Sequence, residues 1–78
     1  MNEPPRFYRG ERVLIRDGRQ VIAGEVLLAS GNGQSIAVGY DGMVAGCVNV
    51  LPLLWDAGSG TFRTIVNQDA IAVQRVTQ

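Results

Sequence analysis

Apolar and polar positions alternate with a period of two along most of this chain, which is the pattern of strands with one buried face. In Arg12–Arg16, Val13 and Ile15 share one face while Arg12, Leu14 and Arg16 share the other. Asp17-Gly18 then predicts a tight hairpin turn, since glycine accepts the positive φ such turns demand. The next strand, QVIAGEVLLAS, places Ile22, Val26 and Leu28 on the face expected to be core, and Gly24 inside it marks a bulge or bend. After the loop SGNGQ, read as flexible, SIAVGYDG sets Ile36, Val38 and Tyr40 on one side and turns at Asp41-Gly42. The long run MVAGCVNVLPLLW is β-branched at Val44, Val48 and Val50, and Pro52 requires it to end, bend or lie at an edge. AGSG, TFRTIV, NQDA and AIAVQRV complete the series as turn, strand, turn and strand. No segment of helical length carries a helical period. The reading is all-β: a small barrel of five or six antiparallel strands over residues 10–78, preceded by an extended arm at 1–9 whose adjacent prolines exclude helix. Phe7 and Tyr8 are placed to anchor that arm.

One stretch has more apolar side chains than a single inward face can take. Val48, Val50, Leu51, Leu53, Leu54 and Trp55 fall on both parities, so some must point outward. With 78 residues, hydrophobic content of 46% and charged content of only 18%, the chain sits near the lower size limit for a single core and has little charge to cover its surface. Cys47 is the only cysteine and histidine is absent, so neither an intramolecular disulfide nor the common Cys/His zinc site is available as a staple. Cys47 itself, in a mid-strand apolar context, reads as inert and buried. The six residues Val48, Val50, Leu51, Leu53, Leu54 and Trp55 are therefore read as a subunit interface, and the expected partner is a second copy of the chain or another protein.

GERVLIRDG followed by VIAGEV, with the closing NQDAIAVQRV, resembles the opening hairpin and final strand of SH3-like small barrels, including Tudor-like and KOW-type domains. Gly10-Glu11-Arg12-Val13 with Gly18 is also similar to the start of the plasmid-borne type II dihydrofolate reductases, SH3-like chains that assemble around a central pore. That family's pore segment, Val-Gln-Ile-Tyr, has no counterpart, because the corresponding region reads Phe62-Arg63-Thr64-Ile65-Val66-Asn67. The resemblance implies the fold and self-association, and it transfers no reductase role to any residue. A pore-type oligomeric enzyme remains the third functional reading.

Net charge is zero, so the chain as a whole does not seek nucleic acid or anionic lipid. Residues 1–20 nevertheless carry Arg6, Arg9, Arg12, Arg16 and Arg19 against Glu3, Glu11 and Asp17, and the remainder is correspondingly acidic. All basic residues are arginine, for which codon usage in a GC-rich genome is the plainer explanation than bidentate anion contacts. Without histidine, Ser-His-Asp and Cys-His arrangements are excluded, and GNGQS lacks the spacing of a phosphate loop. Glu25 with Asp41 or Asp56 is the one conceivable acid/base pair, against a default of surface carboxylates. No catalytic residue, metal ligand or cofactor site is assigned, and an enzyme is not expected. Tyr40, Trp55 and Phe62 near turns form a candidate ring cluster for a cationic ligand, against the plainer view of two core rings capped by Trp55. The arm, through Arg6, Phe7, Tyr8, Arg9 and Arg12, forms the second functional reading, a nucleic-acid grip of arginines around two stacking rings. The absence of a signal-like or membrane-length apolar run leads to the expectation of a cytoplasmic protein with no membrane partner.

Overall fold

The computed structural model describes residues 3–41 and 48–76. Among them the chain forms six strands, β1 (Arg12–Asp17), β2 (Gln20–Ala29), β3 (Ser35–Asp41), β4 (Val48–Asp56), β5 (Thr61–Thr64) and β6 (Ala70–Arg75), and no helix. Each strand pairs antiparallel with its sequence neighbour and β6 pairs back onto β1, closing a barrel. The all-β expectation holds, and the architecture is compatible with a small SH3-like barrel. Gly42, Val44 and Cys47, with the side chains of Asp41 and Val48, lie outside the described residues.

Strand alternation explains the core. Val13 and Ile15 of β1, Val26 of β2, Ile36 and Val38 of β3, Leu53 of β4, Phe62 of β5 and Ile71 of β6 all point inward and are buried, with Leu51, Trp55 and Val73 packed against them. The β1–β2 turn is the two-residue loop Gly18–Arg19, with φ of 61° at Gly18, the position where a type II′ hairpin needs glycine. Gly24 is small for a different reason: a Cβ there would lie 2.7 Å from Val38 Cγ1 and 2.8 Å from the Gly39 carbonyl oxygen. It marks a close approach of backbones inside the barrel.

Two expectations need correction. Leu28 does not join Ile22 and Val26 on the inward face: it is 65% exposed, because the β2–β3 register shifts between Val26 and Leu28 and the extra residue, Leu27, reverses the parity beyond it. The bulge thus falls at Leu27. The strand read as TFRTIV ends at Thr64, and Ile65 and Val66 belong to the exposed turn before β6. Pro52 lies within β4 without breaking it. Trp55 N–H donates to the Gln34 carbonyl beside β3 at 2.8 Å, so by alternation the Pro52 nitrogen faces the β5 side, where pairing starts only at Leu53.

The N-terminal arm is built into the barrel. Phe7 is 6% exposed and belongs to the core, whereas Tyr8 beside it is 64% exposed. Around it, Gly10 N–H donates to the Val26 carbonyl and Val26 N–H to the Glu11 carbonyl, at 2.8 and 2.9 Å. Arg6 Nη1 donates to the Gly31 carbonyl at 2.8 Å, fastening the arm to the β2–β3 loop. That loop is itself closed by Asn32, whose Oδ1 accepts from Ser30 Oγ and Gln34 N–H. No helix among the described residues is long and apolar enough to cross a membrane.

Candidate functional site

The inward parity of Leu51, Leu53 and Trp55 leaves Val50, Pro52 and Leu54 on the outside of β4. Val50 is 55% and Leu54 48% exposed. Across the ladder, Pro52 stands opposite Ala37 of β3, and Ala37 opposite Leu28 of β2, so one apolar row crosses three strands. Gly39 lies opposite Val50, and the side chain of Leu27 folds over Gly39. Ile65 extends the surface beyond Leu54, where both line a shallow groove with Leu28 and Pro52. Between Glu25 at one side and Arg63 at the other, the outward positions of β3 and the described part of β4 carry no charge. This face is the most distinctive surface feature among the described residues.

Its far border is an ordered ion pair. Arg63 Nε donates to Asp56 Oδ2 at 2.7 Å and Arg63 Nη1 to the Gln68 carbonyl at 2.8 Å. Asp56 also accepts from Gly58 N–H and Ser59 Oγ, fixing the β4–β5 turn. The Arg63 guanidinium, followed by these turn donors, holds the Asp56 carboxyl below its ordinary range. At the opposite end of the barrel wall, Arg75 pairs with Glu11, donates to the Arg6 carbonyl and lies 5.0 Å from the centre of the Phe7 ring. That hydrogen bond lowers the Glu11 carboxyl and raises the Arg75 guanidinium.

Both carboxyls titrate lower in the folded chain than in the unfolded one. Their contribution is therefore complete above the unfolded carboxylate range and disappears as pH falls through the depressed folded values. The melting temperature is expected to fall as pH drops below roughly 4, and the double variant Glu11→Gln/Asp56→Asn to show a flatter acid limb. Thermal melts across that range by circular dichroism measure both slopes, and identical slopes would contradict the assignment. Because both pairs are solvent-accessible, the effect is small at neutral pH.

The three candidate rings do not gather in one place. Trp55 packs edge-on against Phe62 at 5.0 Å between centroids and 71° between planes, and Phe7 lies 6.3 Å from Phe62. Phe62 is a core ring. Tyr40 sits opposite Asn49, about 20 Å along β4 from Trp55 at 3.3 Å per residue, on the wall of a cleft of about 490 Å³ with Ile22, Leu51 and Thr64. Of the arm residues, Arg9 and Arg12 are exposed, Arg6 is tied to Gly31, and Phe7 has its faces taken by Phe62 and Arg75. Asp56 is committed to Arg63, and Glu25 faces outward opposite Gly39 and Arg12. No cluster of three or more Cys, Asp or Glu converges among the described residues.

Leu27, Leu28, Ala37, Pro52 and Ile65 were not legible as parts of one face. The signal was the doubled leucine in EVLLAS, where two consecutive large apolar residues interrupt strict alternation as a bulge does. The class defined by these features is a closed six-stranded antiparallel β-barrel with one uncharged outer wall. Compared with known proteins, the chain matches no family model, no curated protein and no solved structure at a significant level.

Proposed function

We propose that this chain is a non-catalytic assembly module that self-associates face to face through the outer wall of β3 and β4. The observation that carries this reading is the row Leu28–Ala37–Pro52, flanked by Val50, Leu54 and Ile65, with no charge inside it. A closed barrel offers no free strand edge, so addition of a strand from another chain is disfavoured and packing of one sheet face on another is the natural mode. Fully burying each large apolar side chain is worth on the order of 1.5–3 kcal/mol, so covering Leu28, Val50, Leu54 and Ile65 supplies several kcal/mol towards association. A second copy brings an equally uncharged wall. The resemblance of the opening hairpin to pore-forming type II reductases points the same way for assembly, without their pore residues.

Size-exclusion chromatography with light scattering at micromolar concentrations is expected to report at least a dimer. Val50→Glu/Leu54→Glu is expected to give a monomer whose melting temperature stays close to the parent's, since both side chains point away from the core. A monomeric parent at about 100 μM, where even a weak interface would be half-occupied, contradicts the reading. The reductase alternative is checked by NADPH oxidation with dihydrofolate, for which no turnover is expected.

A further inference from the structure

The seven arginines divide into two groups. Arg63 and Arg75 are neutralised by Asp56 and Glu11, and Arg6 is spent on the Gly31 carbonyl. The other four, Arg9, Arg12, Arg16 and Arg19, are exposed and make no ion pair among the described residues. All four lie on β1 or in the turns at its two ends. Arg12 and Arg16 project outward from β1, because Val13 and Ile15 take the inward positions.

Their neighbours leave them accessible. Arg16 stands between Val21 of β2 and Ala72 of β6, and Leu14 between Ala23 and Gln74. The carboxylates nearest in register are Glu25, opposite Arg12, and Asp17, at the end of β1. Four cations against two carboxylates leave a local positive excess on a chain that is neutral overall. In a closed barrel of six strands in sequence order, β1 is opposite β4, so this ridge and the apolar wall occupy different sides.

We propose that the arginine ridge of β1 contacts the phosphate backbone of duplex nucleic acid without reading its sequence. Guanidinium groups grip phosphate oxygens bidentately, and Arg12 and Arg16, four residues apart on an extended strand, are spaced by about 13 Å, close to the rise of four base pairs. The rows across β1 expose no aromatic ring, so the stacking platform of single-strand binders is missing there. They also lack the large apolar anchors of a protein-binding hot spot, having alanine and glutamine beside the arginines instead. Zero net charge removes long-range attraction, so the contact is short-ranged, weak and sensitive to salt.

Fluorescence anisotropy with a labelled duplex of about 20 base pairs tests this. Binding is expected in the micromolar range at low salt, with log K falling against log salt at a slope of roughly −3 to −4, as for three to four phosphate contacts. Between about 50 and 200 mM salt the affinity should fall by about 100-fold. Arg12→Gln/Arg16→Gln/Arg19→Gln is expected to bind at least about tenfold more weakly and to lower the slope by about 3. The matching Arg→Lys variant should keep most of the slope, which separates loss of charge from loss of fold. Absence of binding by the parent at low salt, an unchanged slope in the Gln variant, or tighter binding to poly-glutamate or anionic vesicles than to duplex overturns the proposal. Light scattering on the Gln variant keeps this independent of self-association, because the assembly wall is untouched.

Discussion

Replacing Phe7 by alanine is expected to destabilise the chain by about 3–5 kcal/mol, the range for removing a buried phenylalanine. A domain of this length holds only roughly 4–12 kcal/mol in total, so the loss approaches the whole stability. The ring is buried among core residues, stacks at a tilt 6.3 Å from Phe62 and carries the Arg75 guanidinium on its face. Its removal leaves a cavity at the end of the barrel and frees Arg75 from one of its contacts. Urea denaturation followed by tryptophan fluorescence measures the change: the midpoint should fall with little change in slope. Phe7→Leu should recover more than half, since it refills the apolar volume. Tyr8→Ala, one position away and 64% exposed, should stay within about 0.5 kcal/mol. Were Phe7→Ala equally mild, the arm would be an appendage and its aromatic residues would again be free to stack on a ligand.

The second large effect lies at Gly24. A methyl group there meets Val38 Cγ1 at 2.7 Å and the Gly39 carbonyl oxygen at 2.8 Å. The side chain of Val38 is buried and the carbonyl is backbone, so neither yields without moving β3, and Gly24→Ala should destabilise by about 1–3 kcal/mol. Gly39→Ala is the informative contrast. Its methyl group would lie 2.8 Å from Leu27 Cδ1, the end of a flexible side chain on the outer surface that can rotate away. The expected loss is below about 1 kcal/mol. Paired thermal melts of the two variants decide it, and equal losses would contradict the inward placement of Gly24.

The contrast also shows what could be read along the chain. Val13, Ile15, Val26, Ile36 and Val38 were legible as core because each lies in a strand whose period of two is unbroken up to that point. Leu28 was misread because parity carries forward only until a bulge, and the cost of a bulge depends on the partner strand, which the local sequence does not specify. The apolar excess between Val48 and Trp55 announced an outward face, but its extent did not follow. Leu28 and Ala37 join Pro52 only through pairings between positions far apart in the chain. Phe7 was expected to anchor the arm, yet whether it anchors at the surface or inside depends on the space left by Phe62 and Ile71.

The arginine cluster of residues 1–20 illustrates the same division. Composition showed the asymmetry, and only the fold sorted the arginines into Arg6, tied down by the chain, and Arg9, Arg12, Arg16 and Arg19, left to the solvent.

Local alternation and turn chemistry by themselves determined the strands, most of their inward faces, the absence of helices and the excess of apolar side chains near Pro52. Register across the bulge at Leu27, closure of β6 onto β1, burial of Phe7 and the union of three strands into one uncharged wall were decided by the tertiary structure. The physical reason is that side-chain parity is a property of neighbours in sequence, whereas which parity meets which across a ladder is set by hydrogen bonds between residues distant in the chain.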